Sequence, residues 1–123
     1  MIELLQTFLV LWFCHALADF SLQSNAMSNG KNKKAGLKNW LKLGRDEKDF
    51  DKRVWIYWMS AHALIQGGVI FLVFGNYWIF VIEVITHFTI DYLKCRDITN
   101  IHQDQGLHIG LRVVYAFLIV GGI

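Results

Sequence analysis

"VWIYWMSAHALIQGGVIFLVF", Val54 to Phe74, contains no Asp, Glu, Lys or Arg. At 1.5 Å of rise per residue, a helix of this length spans roughly 30 Å, the thickness of a bilayer's hydrocarbon core. The run reads as a transmembrane helix. Three further mostly apolar stretches flank it: Ile2 to Phe20 before, then Tyr77 to Leu93 and Leu107 to Ile123 after. The chain has 123 residues, of which 54% are hydrophobic. That is short for more than one domain and too apolar for an ordinary water-soluble one, where about 45–50% is usual. The expected fold class is all-α: an integral membrane bundle of four transmembrane helices in a single domain, with spans at about residues 2–20, 54–74, 77–93 and 107–123.

Between the first two runs lies the one long polar connection, residues 21–53. It carries Lys31, Lys33, Lys34, Lys38, Lys42, Arg45, Lys48, Lys52 and Arg53, nine of the chain's twelve basic residues. The connection after the third run adds Lys94 and Arg96, while the "GNY" turn between the second and third has no basic residue. Basic residues flank spans on the cytoplasmic side, so the basic loop 21–53 is expected in the cytoplasm and both termini outward. Within it, "GLKNWLKL" (Gly36 to Leu43) reads as a short interfacial helix, with Leu37, Trp40, Leu41 and Leu43 toward lipid and lysines toward anionic headgroups. The lipid bilayer is the expected partner and a nucleic acid is not, because a solvated membrane-side loop accounts for the lysines. Oligomerisation is left open.

A cleaved signal peptide ending at "ALA" fits poorly, since "MIE" opens with an acid and three more apolar runs follow. Cys14 and Cys95 both fall near the reducing side and are expected as free thiols. Trp55, Tyr57, Trp58, Tyr77 and Trp78 sit at span ends as headgroup anchors. Gly106 and Gly110 are spaced to allow close helix approach in the fourth span.

Ionisable residues inside the apolar runs carry the functional information. Helical positions four apart share a face, so three polar stripes result. They are His15 with Asp19; Glu83, His87 and Asp91; and Asp104, His108 and Arg112. His62 stands alone in the second run. In an up-and-down bundle the ends of spans one and three lie level with the starts of spans two and four. All these groups then converge at the cytoplasmic end. A charge near the bilayer centre costs at least about 2.5–3.5 kcal/mol, so such groups face a partner or a cavity. Imidazole with carboxylate is a ligand set for zinc, manganese or iron, and an i, i+4 pair lets one helix offer two ligands. The expected ligands of a divalent metal, zinc or manganese first, are His15, Asp19, His62, His87, Asp91, Asp104 and His108. The simpler readings are a hydrogen-bonded structural His62, an Arg112 paired with Asp104, and a solvated His102.

Three segments, "HALADFSLQSNAMSNGK" (His15 to Lys31), "HFTIDYLK" (His87 to Lys94) and "DQGLHI" (Asp104 to Ile109), resemble those of a bacterial and phage family of small polytopic membrane proteins, domain of unknown function 3307. The resemblance implies a multi-span helical protein of the bacterial inner membrane. It marks His15, Asp19, Gln23, His62, His87, Asp91, Lys94, Asp104, Gln105 and His108 as the polar positions, and it supplies no activity. The lysine-rich insertion at about residues 32–51 is longer than the family's loop.

Two kinds of function match these residues. One is a membrane-embedded, metal-dependent hydrolase acting on a phosphate-bearing or lipid substrate, with Glu83, Lys94 and Arg112 as its catalytic residues and Lys94 and Arg112 as charge partners of a phosphate. The other is a proton or divalent-ion binding or transport element, in which Glu83 extends the polar path outward. A non-enzymatic membrane interaction protein is the third, trailing alternative.

Overall fold

The computed structural model describes residues 1–122, and every described element is helical. The elements are α1 (Ile2–Ala16), running directly into a π-helical turn (Leu17–Ser21), then α2 (Asn25–Gly30), α3 (Lys33–Lys42), a 3-10 turn (Glu47–Asp49), α4 (Val54–Phe74), α5 (Tyr77–Cys95) and α6 (Ile101–Val120). The four long helices form a ring in which α1 packs against α4 and α6, and α5 closes it by packing against the same two.

Local chemistry sets the ends of these helices. Gly75 ends α4 in the left-handed conformation, φ 64°, and the Asn76 side chain at once caps α5 by accepting from the Ile79 N–H at 3.0 Å. Two residues thus turn the chain back into an antiparallel hairpin. α6 starts with a reciprocal capping box between Asn100 and Gln103. The helix therefore begins at Ile101, ahead of the expected Leu107, and His102 falls in its first turn, exposed.

The expectation of four spans is met only in its coarser form. Two helical stretches, Ile2–Ser21 and Val54–Phe74, are long and apolar enough to cross a membrane. The ionisable residues on α5 and α6 keep those two helices below that mark. Ile123, the last residue of the expected fourth run, lies outside the described residues.

The basic loop is more folded than its charge suggests. Asn32 caps α3 through the N–H groups of Lys34 and Ala35, and the helix begins three residues before the expected Gly36. Asp46 caps the 3-10 turn, and the Lys48 N–H on its carboxylate holds it below the usual aspartate range. The Trp58 ring of α4 lies where a Gly30 side chain would be, which lets α2 dock on the start of α4.

Burial is inverted relative to a water-soluble bundle. Among the described residues eleven buried side chains are polar or charged and ten are apolar, whereas charged residues in ordinary proteins are almost never fully buried unless paired. Six of the apolar ones, Leu11, Cys14, Ile70, Ile79, Tyr115 and Ala116, make a continuous core at one end. Large apolar side chains such as Leu5, Phe13, Leu72, Ile85 and Phe117 are exposed around the outside.

Gly106 and Gly110 have open space where a side chain would go, so close helix approach does not depend on them. Gly67 is where it occurs: an added Cβ would stand 2.7 Å from Val84 Cγ2 and 3.0 Å from the Phe80 carbonyl oxygen. We predict that Gly67→Leu lowers stability by about 1–3 kcal/mol through overpacking. Gly68→Ala, which meets nothing, should change it by less than about 0.5 kcal/mol. Thermal unfolding followed by circular dichroism of the purified variants measures the difference.

Candidate metal centre

Each long helix contributes one stripe. α4 offers His62 and Gln66, α5 offers Glu83, His87 and Asp91, and α6 offers Asp104, His108 and Arg112, all buried. α1 contributes His15 from its last turn and Asp19 from the π-helical turn, where the Leu22 N–H reaches back to the Leu17 carbonyl. This wider turn sets where Asp19 points; π turns of this kind are frequent at functional sites.

The deepest part of the cluster is a two-pronged ion pair. Arg112 donates from both terminal nitrogens to Glu83, each at 2.6 Å, and its Nη2 also lies 3.3 Å from His15 Nδ1. Glu83 Oε1 in turn lies 3.1 Å from His87 Nδ1. A carboxylate behind a histidine fixes the proton on the near nitrogen, leaving the far one with a lone pair. That far nitrogen, His87 Nε2, faces the centre of the cluster.

Four potential donor atoms gather there from α4, α5 and the π turn. Asp19 Oδ1 and His62 Nε2 are 3.0 Å apart, the His62 and His87 Nε2 atoms 3.2 Å, and His62 Nε2 and Asp91 Oδ2 3.5 Å. His87 Nε2 is 3.9 Å from Asp19 Oδ1 and 3.9 Å from Asp91 Oδ2. Ligands held at about 2.0–2.1 Å in a tetrahedron stand roughly 3.3 Å from one another. These spacings bracket that edge: Asp19, His62 and His87 form one donor group within mutual reach of an ion, with Asp91 Oδ2 beside both imidazoles. Gln66 donates to Asp19 Oδ1 at 3.2 Å and Gln105 to Asp19 Oδ2 at 3.2 Å, which orients the carboxylate.

A second donor group adjoins the first through the other oxygen of Asp91. His108 Nε2 lies 3.5 Å from Asp91 Oδ1 and 3.8 Å from Asp104 Oδ1. Both ring nitrogens of His108, Asp104 Oδ1 and His15 Nε2 are buried without a hydrogen-bond partner. Such groups are costly to bury unless something meets them. His15, His87 and His108 make a third possible donor group, with the His87 and His108 rings stacked at 4.2 Å.

At the polar end, ammonium groups close the cluster. Lys31, from the end of α2, is buried and pairs with Asp91 Oδ2. Lys94 bridges Asp104 at 2.8 Å and Asp91 at 3.4 Å and keeps partial exposure. Half-buried Cys95 lies just past the apolar run, and burial pushes its thiol above the usual cysteine range.

The seven residues expected as metal ligands, His15, Asp19, His62, His87, Asp91, Asp104 and His108, all lie in this one cluster. The three expected catalytic residues do not share one position. Lys94 is on the rim, whereas Glu83 and Arg112 are fully buried and satisfy each other behind His87. Arg112 is therefore not placed to meet a phosphate. It also does not pair with Asp104, which Lys94 and Gln105 take. Two contributors were absent from the expected set. Gln66 stands four residues after His62, so the i, i+4 spacing already marked it; Lys31 is one of several loop lysines, and no feature of the sequence separates it from Lys33. Comparisons with protein-family models, curated proteins and solved structures return no match.

Removing one partner of a buried ion pair leaves an uncompensated charge, typically at a cost of about 3–5 kcal/mol. We expect Arg112→Met to lose stability on that scale and Glu83→Gln with Arg112→Met to regain most of it, measured by chemical denaturation. A double variant no better than Arg112→Met would mean that the guanidinium matters for something other than Glu83.

Proposed function

We propose that this chain is a four-span protein of the bacterial inner membrane, of the polytopic family it resembles. In this reading it holds one divalent ion, zinc or manganese, at the cytoplasmic end of its bundle and uses it to hydrolyse a phosphate-bearing substrate. The observation that carries the metal reading is the meeting of Asp19 Oδ1, His62 Nε2 and His87 Nε2 at 3.0–3.9 Å, with Asp91 Oδ2 3.5 and 3.9 Å from the two imidazoles. Two imidazoles and two carboxylates suit either metal. The exposed apolar side chains on all four long helices, around a polar interior, support the membrane reading, because lipid accepts apolar surface and penalises polar backbone and charge. Nine basic residues in the 21–53 segment support a cytoplasmic position for that end.

Charge favours one ion over two. Apart from the neutral Glu83 and Arg112 pair, the cluster holds the carboxylates Asp19, Asp91 and Asp104 against the ammoniums Lys31 and Lys94. With all three acids ionised this leaves one negative charge. One divalent ion turns the balance to one positive, which an anionic substrate or hydroxide neutralises. Two ions would leave three positive charges in a buried site, a heavy desolvation cost.

A bound zinc ion lowers the pKa of a coordinated water to about 7, making a nucleophile at neutral pH. Within this site Glu83 holds His87 in its metal-binding tautomer, and Arg112 holds Glu83. His108, with unpartnered nitrogens beside Asp91, is placed to take a proton from water. Lys94, half inside the rim, balances the carboxylates. A transport path is less well supported, because Glu83 is engaged by Arg112 and the apolar core fills the bundle beyond it.

Elemental analysis of the detergent-purified chain is expected to find one zinc or manganese per polypeptide. His62→Ala and His87→Ala should each lose at least about tenfold in metal affinity, while exposed His102→Ala retains it. Apo protein should regain phosphate release from a phosphate monoester when zinc or manganese is restored. Metal absent from the wild type at any loading would end the proposal.

A further inference from the structure

Arg112 is sealed behind His87, so recognition of a phosphate group must come from other cations. We propose that a small cavity at the junction of α2, α3, α4 and α5 binds the phosphate group of the substrate, with Lys31 at its inner end and Lys33 and Arg96 at its mouth. This proposal rests on the metal-hydrolase reading above and names where its substrate is held.

The cavity measures about 140 Å³ and is lined by Lys31, Lys33, Trp55, Tyr92, Cys95 and Arg96. No acidic side chain lines it. Lys33 and Arg96 are exposed, and among the described residues neither has a carboxylate partner. Lys38, Lys42, Arg45 and Lys52 likewise have no carboxylate partner among the described residues, so what sets Lys33 and Arg96 apart is their place in the lining of this cavity. Lys34 pairs with Asp97, Lys48 with Asp46 and Arg53 with Asp51. The two unmatched cations at the mouth, with Lys31 behind them already matched by Asp91, make a local excess of positive charge, which focuses an anion into the concavity.

Lys31 joins this cavity to the candidate metal centre. Its ammonium sits on Asp91 Oδ2, the same oxygen that lies 3.5 Å from His62 Nε2. The cavity is thus one carboxylate group away from the proposed ion. Once an ion draws on Asp91, Lys31 shares its partner and has donors to spare for a phosphoryl oxygen. Arg96 adds a planar fork suited to two phosphate oxygens. The Trp55 and Tyr92 rings, 5.5 Å apart, give an apolar wall for the carbon side of an ester.

The shared chemistry is a phosphate monoester or diester, whether from a phospholipid headgroup or from a water-soluble compound. Two arms separate these sources, both using the full chain in phosphatidylcholine nanodiscs. In one, equilibrium dialysis measures binding of labelled inorganic phosphate; in the other, native mass spectrometry counts phosphatidic acid retained when the discs contain it. Wild type should bind in at least one arm, and the Lys33→Ala, Arg96→Ala double variant should lose roughly tenfold or more, as expected for two charge-assisted contacts. Lys38→Ala with Lys42→Ala, equally basic but outside the cavity, should bind as wild type does. Retention of phosphatidic acid alone identifies a lipid source, and binding of inorganic phosphate identifies a soluble one.

Binding in neither arm, or undiminished binding by the Lys33 and Arg96 variant, overturns the proposal. Both substitutions are at exposed positions, so a folding failure is not expected; circular dichroism of the same samples checks it. Metal content measured on those samples keeps the two readings apart. Full metal with no phosphate bound removes the subsite only, whereas phosphate bound without metal removes the metal reading and keeps the subsite.

Discussion

Arg112 and Glu83 occupy the innermost position of the polar cluster, and the rest of the cluster depends on them. Neither is exposed. In a low-dielectric interior each charge alone would cost several kcal/mol, and only near-ideal geometry offsets the loss of water. The two 2.6 Å contacts supply that geometry. The pair ties α6 to α5, and through the contact of Arg112 with His15 it reaches α1. Glu83 then has Oε1 positioned for His87, so an interaction that contributes to packing also fixes which nitrogen of His87 faces the donor group. Structure and proposed chemistry share this contact.

The surrounding architecture follows from the same constraint. Polar side chains that must avoid the outer surface can only meet along the bundle axis, and here they do so at one end, leaving the other to Leu11, Ile70, Ile79 and their neighbours. Concentrating them lets each carboxylate find a donor. Asp19 has His62, Gln66 and Gln105; Asp91 has Lys31 and Lys94; Asp104 has Lys94 and Gln105. Spread over the helix lengths, the same groups would have needed separate partners. Among the buried polar atoms left without a partner, those of His108 on both nitrogens, His15 Nε2 and Asp104 Oδ1 lie inside this layer. A soluble bundle gains nothing from such a residue; a metal or substrate site does.

Much of this was legible because helical spacing is a short-range rule. Positions four apart on one helix must share a face whatever the helix packs against, so His15 with Asp19, Glu83 with His87 and Asp91, and Asp104 with His108 could be paired before any tertiary contact was known. The up-and-down order put them at one level. The hairpin at Gly75 and Asn76 was visible for the same local reason. Long-range choices were not. Lys31 enters the cluster because α2 and α3 fold back onto α4, with Trp58 over Gly30, and no local pattern tells one lysine in a basic run from the next. The partner of Arg112 was equally hidden: Asp104 and Glu83 both lie within reach by depth, and the packing of α5 on α6 decides for Glu83. Gly106 and Gly110 carried a spacing that permits close approach, but their side of α6 meets open space, whereas Gly67, four residues after the small Ala63, is the residue under which α5 packs.

The lysine-rich segment illustrates why local composition misleads. Nine basic residues in residues 21–53 read as a solvated loop that orients the spans, and most of them are indeed exposed. Lys31 is the exception, and its burial changes what the segment is. An ammonium can be buried at 4% exposure only against a carboxylate, and the carboxylate it uses belongs to the donor group. Any change in the charge at Asp91 therefore alters the anchorage of α2, and any displacement of α2 alters the charge balance at Asp91. By linkage this coupling runs equally in both directions. The basic segment is thus one wall of the cluster as well as its flank, and the polar end of the bundle cannot be treated as four helices with a loop attached.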